Sequence, residues 1–427
     1  MYIDYSYLRP RKAEVLKFWH EPISVRDDLK VYRYNNATIL PLRRISGDDL
    51  LFGRGGVIDS EHKYVDVSAI DKRVQFAYET DIAEMRDEIV VYCGYLVPQW
   101  GHFLIEATAR LWVVFREEAN IDKYVFFIRE NEDRNLSGNY REFFELLGIL
   151  DKIEIINRPI QYKTVLIPEL GYCWKTYYSN EYKQIFERIS QNVCVGRDYY
   201  GASKKLFLSR SQLKDINKRE FGLEMLDDFF SSNGYEIVFP EKISLSELIC
   251  KIDCAEEIAA LSGTLPHNLL FSRDQKNLVI IERNVLNNEI QADINMIKNL
   301  NVTYVDANIP LYSIDLGNGP FILAYNRYFK KYSDDRDLIP PRDFYLSPKY
   351  LKRLLAKYIK AYQHMYHYEW VMADWAIKYT DYVREGYNDG MRYYKDYLTG
   401  RKPFLFHHYL MPHYWKMLAK CLIKKIR

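Results

Sequence analysis

From Glu88 to Val305, short apolar runs alternate with amphipathic segments, and this order constrains the fold more than any other feature of the chain. Glu88–Tyr95, Tyr124–Ile128, Ile153–Ile156 and Thr164–Ile167 have the character of strands, while His102–Glu117, Tyr140–Leu147 and Tyr182–Val195 have helical spacing. After a linker at Gly196–Lys204 the pattern sharpens, with strands expected at Lys205–Ser209, Tyr235–Phe239, Glu257–Leu261, Asn277–Glu282 and Val302–Val305. Helices are expected over Glu220–Asn233, Leu245–Ile252, His267–Phe271 and Glu289–Leu300. Gly234 supplies a stop signal, and Ser244 with Glu247 three residues on reads as a capping box. Such alternation means a parallel sheet wrapped by helices, with ligands at the carboxyl ends of the strands. Two such halves in series predict an α/β chain with two Rossmann-like domains facing a cleft.

Length agrees, since 427 residues exceed what one hydrophobic core usually supports. Residues 1–200 are expected to form an N-terminal, acceptor-side domain, with a β-rich entry (Ala37–Leu42, Tyr64–Val67) and one early helix at Lys12–Trp19. Residues 201–335 are expected to form a donor-binding domain, and 336–427 a helical extension in which Ser347–Arg384 is rich in Tyr and Lys. A net charge of +2 argues against a nucleic-acid partner, which asks for a large basic surplus. The 38 tyrosines offer apolar rings with polar tips, suited to wet clefts and carbohydrate faces. The six cysteines form no CxxC pair, so neither a disulfide framework nor a zinc site is expected. Residues 1–20 carry charge and lack an apolar signal core, which places the expected working compartment in the cytoplasm.

Three constellations carry chemistry. His102, Glu106 and Arg110 are each four residues apart and would share one face of a helix that follows a buried strand. A neutral imidazole held by a carboxylate is what a hydroxyl-deprotonating base requires. Ser209 and Arg210 close an apolar strand, where a guanidinium can hold phosphate oxygens with two parallel bonds. Ser262-Gly263-Thr264, leading to His267 and Asn268, reads as strand, glycine turn and helix start, which exposes backbone N–H groups to an anion. Neither GxGxxG nor a P-loop is present, and Asp227-Asp228 and Asp334-Asp335 sit in solvated helical runs unlike a metal-binding DxD.

The order of these elements resembles glycosyltransferase family 61: Gly101–Glu106 with Arg110, then Leu208-Ser209-Arg210, the acidic Glu220, the Gly234–Leu248 run, and a glycine turn leading into Asn268–Phe271. The likeness spans about Val90–Glu282, under half of the chain. It implies a GT-B fold, inversion at the anomeric carbon, a nucleoside-diphosphate sugar donor (UDP is the expected nucleotide) and no required metal or resident cofactor. It also implies a glycan or lipid-linked glycan acceptor in capsular or other cell-surface polysaccharide synthesis. Carried over by position, His102 and Glu106 are the catalytic pair. Arg110, Ser209, Arg210, Glu220, Gly263 and Asn268 are the donor-site residues so implied, and Ser262, Thr264 and His267 are expected beside them. Many relatives carry His-Gly-Ala where this chain has Ser262-Gly263-Thr264, so Ser262, Thr264 or His267 would have to replace that histidine. Two other readings use the same fold: transfer of a phosphate-containing group in surface-polymer synthesis, and a catalytically silent sugar-binding or assembly protein.

Met411–Arg427 draws as a helix with Tyr414, Trp415, Leu418, Leu422 and Ile426 on one side and Lys416, Lys420, Lys424, Lys425 and Arg427 around the rest. A basic amphipathic helix with an interfacial Trp suits the anionic inner face of a membrane, and the competing expectation is packing against protein. On the membrane reading, truncation before Tyr409 yields folded protein that no longer sediments with anionic vesicles, and salt releases the full-length chain. Unfolding on truncation would assign the apolar stripe to the core.

Overall fold

The computed structural model describes residues 1–364 except 45–52, 70–76, 81–83, 117–119, 133–134, 195–202, 284–288 and 310–319. The expected linker at Gly196–Lys204 lies almost wholly outside the described residues, and the expected tail helix entirely so. The chain is mixed α/β with two six-stranded sheets. Among the described residues no helix is long and apolar enough to cross a membrane.

The first sheet runs in the order Arg54–Ile58, Val31–Arg43, Ile160–Pro168, Met85–Tyr95, Lys123–Phe127, Ile153–Ile156. Its last four strands are parallel, and Val31–Arg43 is antiparallel to both neighbours. Period-two alternation sends Val90 and Tyr92 into one apolar layer and Val91 and Cys93 into the other.

The second sheet is parallel throughout, in the order Ile3–Tyr7, Asn301–Asp306, Asn277–Glu282, Glu257–Leu261, Lys205–Leu208, Glu236–Val238. The chain starts at Lys205–Leu208, steps outward to Glu236–Val238, then returns to the other side at Glu257–Leu261. That reversal falls between the carboxyl ends at Leu208 and Leu261, the position at which parallel sheets of this kind take ligands. Both faces are covered: Phe207, Leu261 and Val279 pack toward Leu226 and Phe230, whereas Leu208, Ala260 and Ile280 pack toward Leu248 and Leu269. Burial on both faces is why these strands read as unbroken apolar runs.

The sheets divide the chain differently from the boundaries expected at 200 and 335. The first strand, Ile3–Tyr7, pairs in parallel with Asn301–Asp306 and so belongs to the second sheet. Helix Pro10–Trp19 follows it there, with Leu16 in the same core. Helix Pro348–His364 lays Tyr350, Leu351, Leu354, Leu355 and Tyr358 on the opposite layer, so this part of the extension also joins that unit. Composition cannot report such returns, because a parallel edge pairing joins segments nearly three hundred residues apart.

The two units share one apolar layer. Phe103, Phe143 and Phe186 of the first half pack with Ile249, Leu270 and Phe271 of the second. The Glu142 carboxylate accepts the Leu245 and Ser246 N–H groups at 2.7 and 2.9 Å, beside the expected Ser244 cap, whose Oγ accepts the Glu247 N–H at 3.1 Å. One helix start in the second half is therefore capped partly from the first.

The entry helix also brings charge inside. Lys12 Nζ lies 2.6 Å from Glu282 and Arg9 Nε 2.6 Å from Asp306, all four side chains being at most 3 % exposed. Burial raises the Glu282 carboxyl above its ordinary range even with Lys12 beside it. Lys12→Met leaves that carboxylate buried without its ammonium partner and is expected to cost about 3–5 kcal/mol near neutral pH. A carboxyl whose folded pKa is raised favours the folded state below the ordinary carboxylate range, and that contribution is lost as pH rises through the folded value. The deficit against wild type should therefore shrink between about pH 8 and about pH 5, read as urea midpoints at each; an equal deficit at both would assign it to packing alone.

Candidate active site

Three successive strands of the second sheet deliver the polar groups at its carboxyl edge. Ser209 continues the sheet by donating its N–H to Val238 O at 2.8 Å, and Arg210 leaves it. Gly263, with φ +125°, turns the chain after Glu257–Leu261. A Cβ at Gly263 would lie 2.8 Å from Arg283 Nη2 and 3.8 Å from Arg210 Nη1, so two guanidiniums converge beside a backbone that carries no side chain. Arg283 follows strand Asn277–Glu282 directly.

Glu220 sits between these arginines. It accepts from Arg283 Nη1 at 2.5 Å and lies 3.4 Å from Arg210 Nε, with its side chain 2 % exposed. The expected helix start at Glu220 is not observed. Glu220–Phe221 pairs with Phe321–Ile322 as a short parallel strand, and the helix begins at Leu223 after Gly222, φ +100°. Arg283 also lies over the Phe321 ring at 5.1 Å. Burial, opposed by Glu220 and reinforced by Arg283, lowers Arg210 to about 10, which leaves it charged at neutral pH. Two guanidiniums against one carboxylate leave this edge with one excess positive charge.

Ser262 and Ser209 are engaged locally. Ser262 Oγ accepts the Arg283 N–H at 3.2 Å and so helps aim that arginine, while Ser209 Oγ accepts the Ser211 N–H at 3.2 Å. The expected helix start after Gly263 is a seven-residue 3-10 helix, Leu265–Phe271, with Thr264 at its N-cap. So short a helix sums little dipole, and the arginine side chains carry the positive potential in its place.

On the facing unit, the expected helix His102–Glu117 is broken into one turn at Trp100–His102, a π-helix at Phe103–Ala107 and a 3-10 helix at Leu111–Phe115. His102 Nδ1 and Glu106 Oε1 are 2.7 Å apart across the wide turn. A carboxylate only accepts, so Nδ1 is the donor of this contact, and the tautomer that makes it has its acceptor at Nε2. The His102 side chain is 32 % exposed and that of Glu106 12 %. Arg110 does not share their face. A π turn advances each residue less around the axis than an α turn, and Arg110 is carried inward. There it is 1 % exposed and donates to the Val67, Ala69 and Pro168 carbonyls. It ties a loop to a strand end.

The two motifs meet. A Cβ at Gly101 would lie 2.9 Å from Thr264 Oγ1 and 3.0 Å from His267 Cδ2. Trp100 Nε1 donates to Asn268 Oδ1 at 2.9 Å, and Asn268 Nδ2 donates to Leu265 O. His267 Nδ1 is 2.8 Å from Gln291 Oε1, and burial lowers this imidazole to about 4, with the nearby His102 acting in the same direction. His267 and Asn268 are thus neutral, buried elements of the junction, and His102 is the imidazole that solvent reaches. Arg283, Trp100 and Gln291 were missed in the sequence. Arg283 had the same signal as Arg210, an arginine directly after an apolar strand.

Gly101→Ala is expected to lower stability by about 1–3 kcal/mol through overpacking at this junction. Adding Thr264→Ala removes two of the three crowding atoms and should return most of the loss in thermal denaturation, whereas strictly additive effects would mean the two segments are not in contact. No protein-family model matches this chain and a search of the curated proteins returns no match, so what the site does is read from its own residues.

Proposed function

We propose that this chain is an inverting, metal-independent glycosyltransferase of GT-B type. It moves a sugar from a nucleoside diphosphate, with UDP the expected nucleotide, to a glycan acceptor in cell-surface polysaccharide synthesis. One observation carries the reading: the positively charged carboxyl edge at Arg210 and Gly263 abuts, through Gly101 and Thr264, the segment bearing the His102–Glu106 pair. A leaving-group site and a base are thereby adjacent on opposite units. The resemblance of the ordered motifs to glycosyltransferase family 61 supports the substrate class.

In this mechanism the diphosphate of the donor lies against Arg210 and the Gly263 turn. His102 Nε2 removes the proton of an acceptor hydroxyl as its oxygen bonds to the anomeric carbon. The bond from that carbon to the diphosphate oxygen breaks on the opposite face, which inverts the centre, and its electron pair stays with the diphosphate. The guanidiniums offset the growing negative charge in a partly dry site, where such contacts are strongest. Glu106 holds the imidazole by its Nδ1–H and stabilises the imidazolium that forms. Buried Ser209, Ser262, His267 and Asn268 shape this site from behind.

Calorimetric titration with UDP, GDP, CMP and dTDP, with and without EDTA, tests the donor class, and binding of a nucleoside diphosphate that survives chelation is expected. His102→Ala should reduce turnover by about 10²-fold or more while leaving nucleotide affinity nearly unchanged. Arg210→Ala should weaken binding itself. Normal turnover in the His102 variant would move the base to Glu106, and loss of binding with EDTA would end the metal-independent mechanism.

A further inference from the structure

We infer that Arg283 is a second phosphate-holding cation, that Glu220 is the positioning residue for both arginines, and that together they make the site selective for two adjacent phosphates over one. This rests on reading the carboxyl edge as a nucleotide site and assigns the selectivity to particular side chains.

Among the described residues the Arg283 guanidinium is held by a carboxylate and a ring face. Its Nη1 donates to Glu220, its backbone N–H to Ser262, and its plane rests on Phe321. Its Nη2 lies beside Gly263, where the missing side chain leaves backbone and guanidinium together on one surface. Arg210 Nη1 approaches the same point from the neighbouring strand end, so both cations lie within 4 Å of one position. One guanidinium fork grips one phosphate well, because its donors are fixed in a plane. Two forks at one glycine match a diphosphate, one for each phosphate, and a monophosphate leaves one of them unused.

Glu220 makes the arrangement tenable. Two guanidiniums this close repel, and burial adds to the cost of each charge. A carboxylate between them, almost fully buried and reaching both, relieves the repulsion without neutralising the pair. It also holds the Arg283 fork by a hydrogen bond and keeps Arg210 Nε at ion-pair distance before any ligand arrives, which reduces the ordering cost of binding. Glu220 thus acts through the arginines, and a negative side chain facing phosphate is explained by the two cations that shield it.

The test compares UDP with UMP by calorimetry on the full chain, with inorganic pyrophosphate as competitor. Arg283→Gln is expected to lower UDP affinity about tenfold or more, as loss of a charged hydrogen bond does, while UMP affinity stays within about threefold. Pyrophosphate should displace UMP from wild type and fail to do so from this variant. Arg283→Lys keeps a cation against Glu220, so it preserves the fold if the Gln variant does not, and it should still lose most of the UDP preference because a point charge cannot fork. Glu220→Gln should narrow the UDP-to-UMP ratio in the same direction. An unchanged ratio in the Arg283 variants, or equal losses for UDP and UMP, would overturn the assignment and leave the nucleotide site standing. Failure of wild type to bind any of UDP, GDP, CMP and dTDP would instead remove the nucleotide site and this assignment with it.

Discussion

The apolar layer shared by the two sheets is the constraint on which the rest depends. Phe271, on the 3-10 helix of the glycine turn, meets Phe143 and Phe186 of the other unit at ring-centroid distances of 6.2 and 5.4 Å. Phe103, one residue after His102, packs on Phe143 and Phe144 in the same layer. Each such ring contributes about 1.5–3 kcal/mol on burial, so separating the units would expose a costly surface. The segment bearing His102 and the turn at Gly263 are therefore placed by the same cluster. Gly101 exists where it does because nothing larger fits between Thr264 and His267.

Charge at the carboxyl edge is arranged with the same economy of position. Two carboxylates, Glu282 and Asp306, end neighbouring strands and bring negative charge to this edge. Lys12 of the entry helix and Arg9 at its N-cap pair with them, so the negative strand ends are masked from within. Arg210 and Arg283, sharing Glu220, keep the excess positive charge beside Gly263. The first twelve residues thus act on the electrostatics of a site formed two hundred residues later.

Much of the architecture could be read from the chain. Ile153–Ile156, Glu257–Leu261 and Asn277–Glu282 form strands with the expected bounds, and Ser244 caps the expected helix. These are short apolar runs closed by turn residues or a side-chain cap, signals that depend only on neighbours. The same locality explains the misses. The helix expected at His102 widens into a π turn where Phe103 packs into an aromatic layer, and Arg110 lies inward. Glu220 becomes a strand because Phe321–Ile322 offers it a partner a hundred residues away.

What the sequence determined by itself is the α/β alternation, the strand ends bearing Arg210 and Gly263, and the pairing of His102 with Glu106, which are properties of nearest neighbours and helical turns. Only the tertiary structure decided which of those groups meet. It sent Ile3–Tyr7 to the second sheet, set Arg283 beside Arg210, and pressed Gly101 against Thr264. Such contacts join segments with no local relation, and their energy comes from burial and charge pairing that exist only once the whole chain has closed.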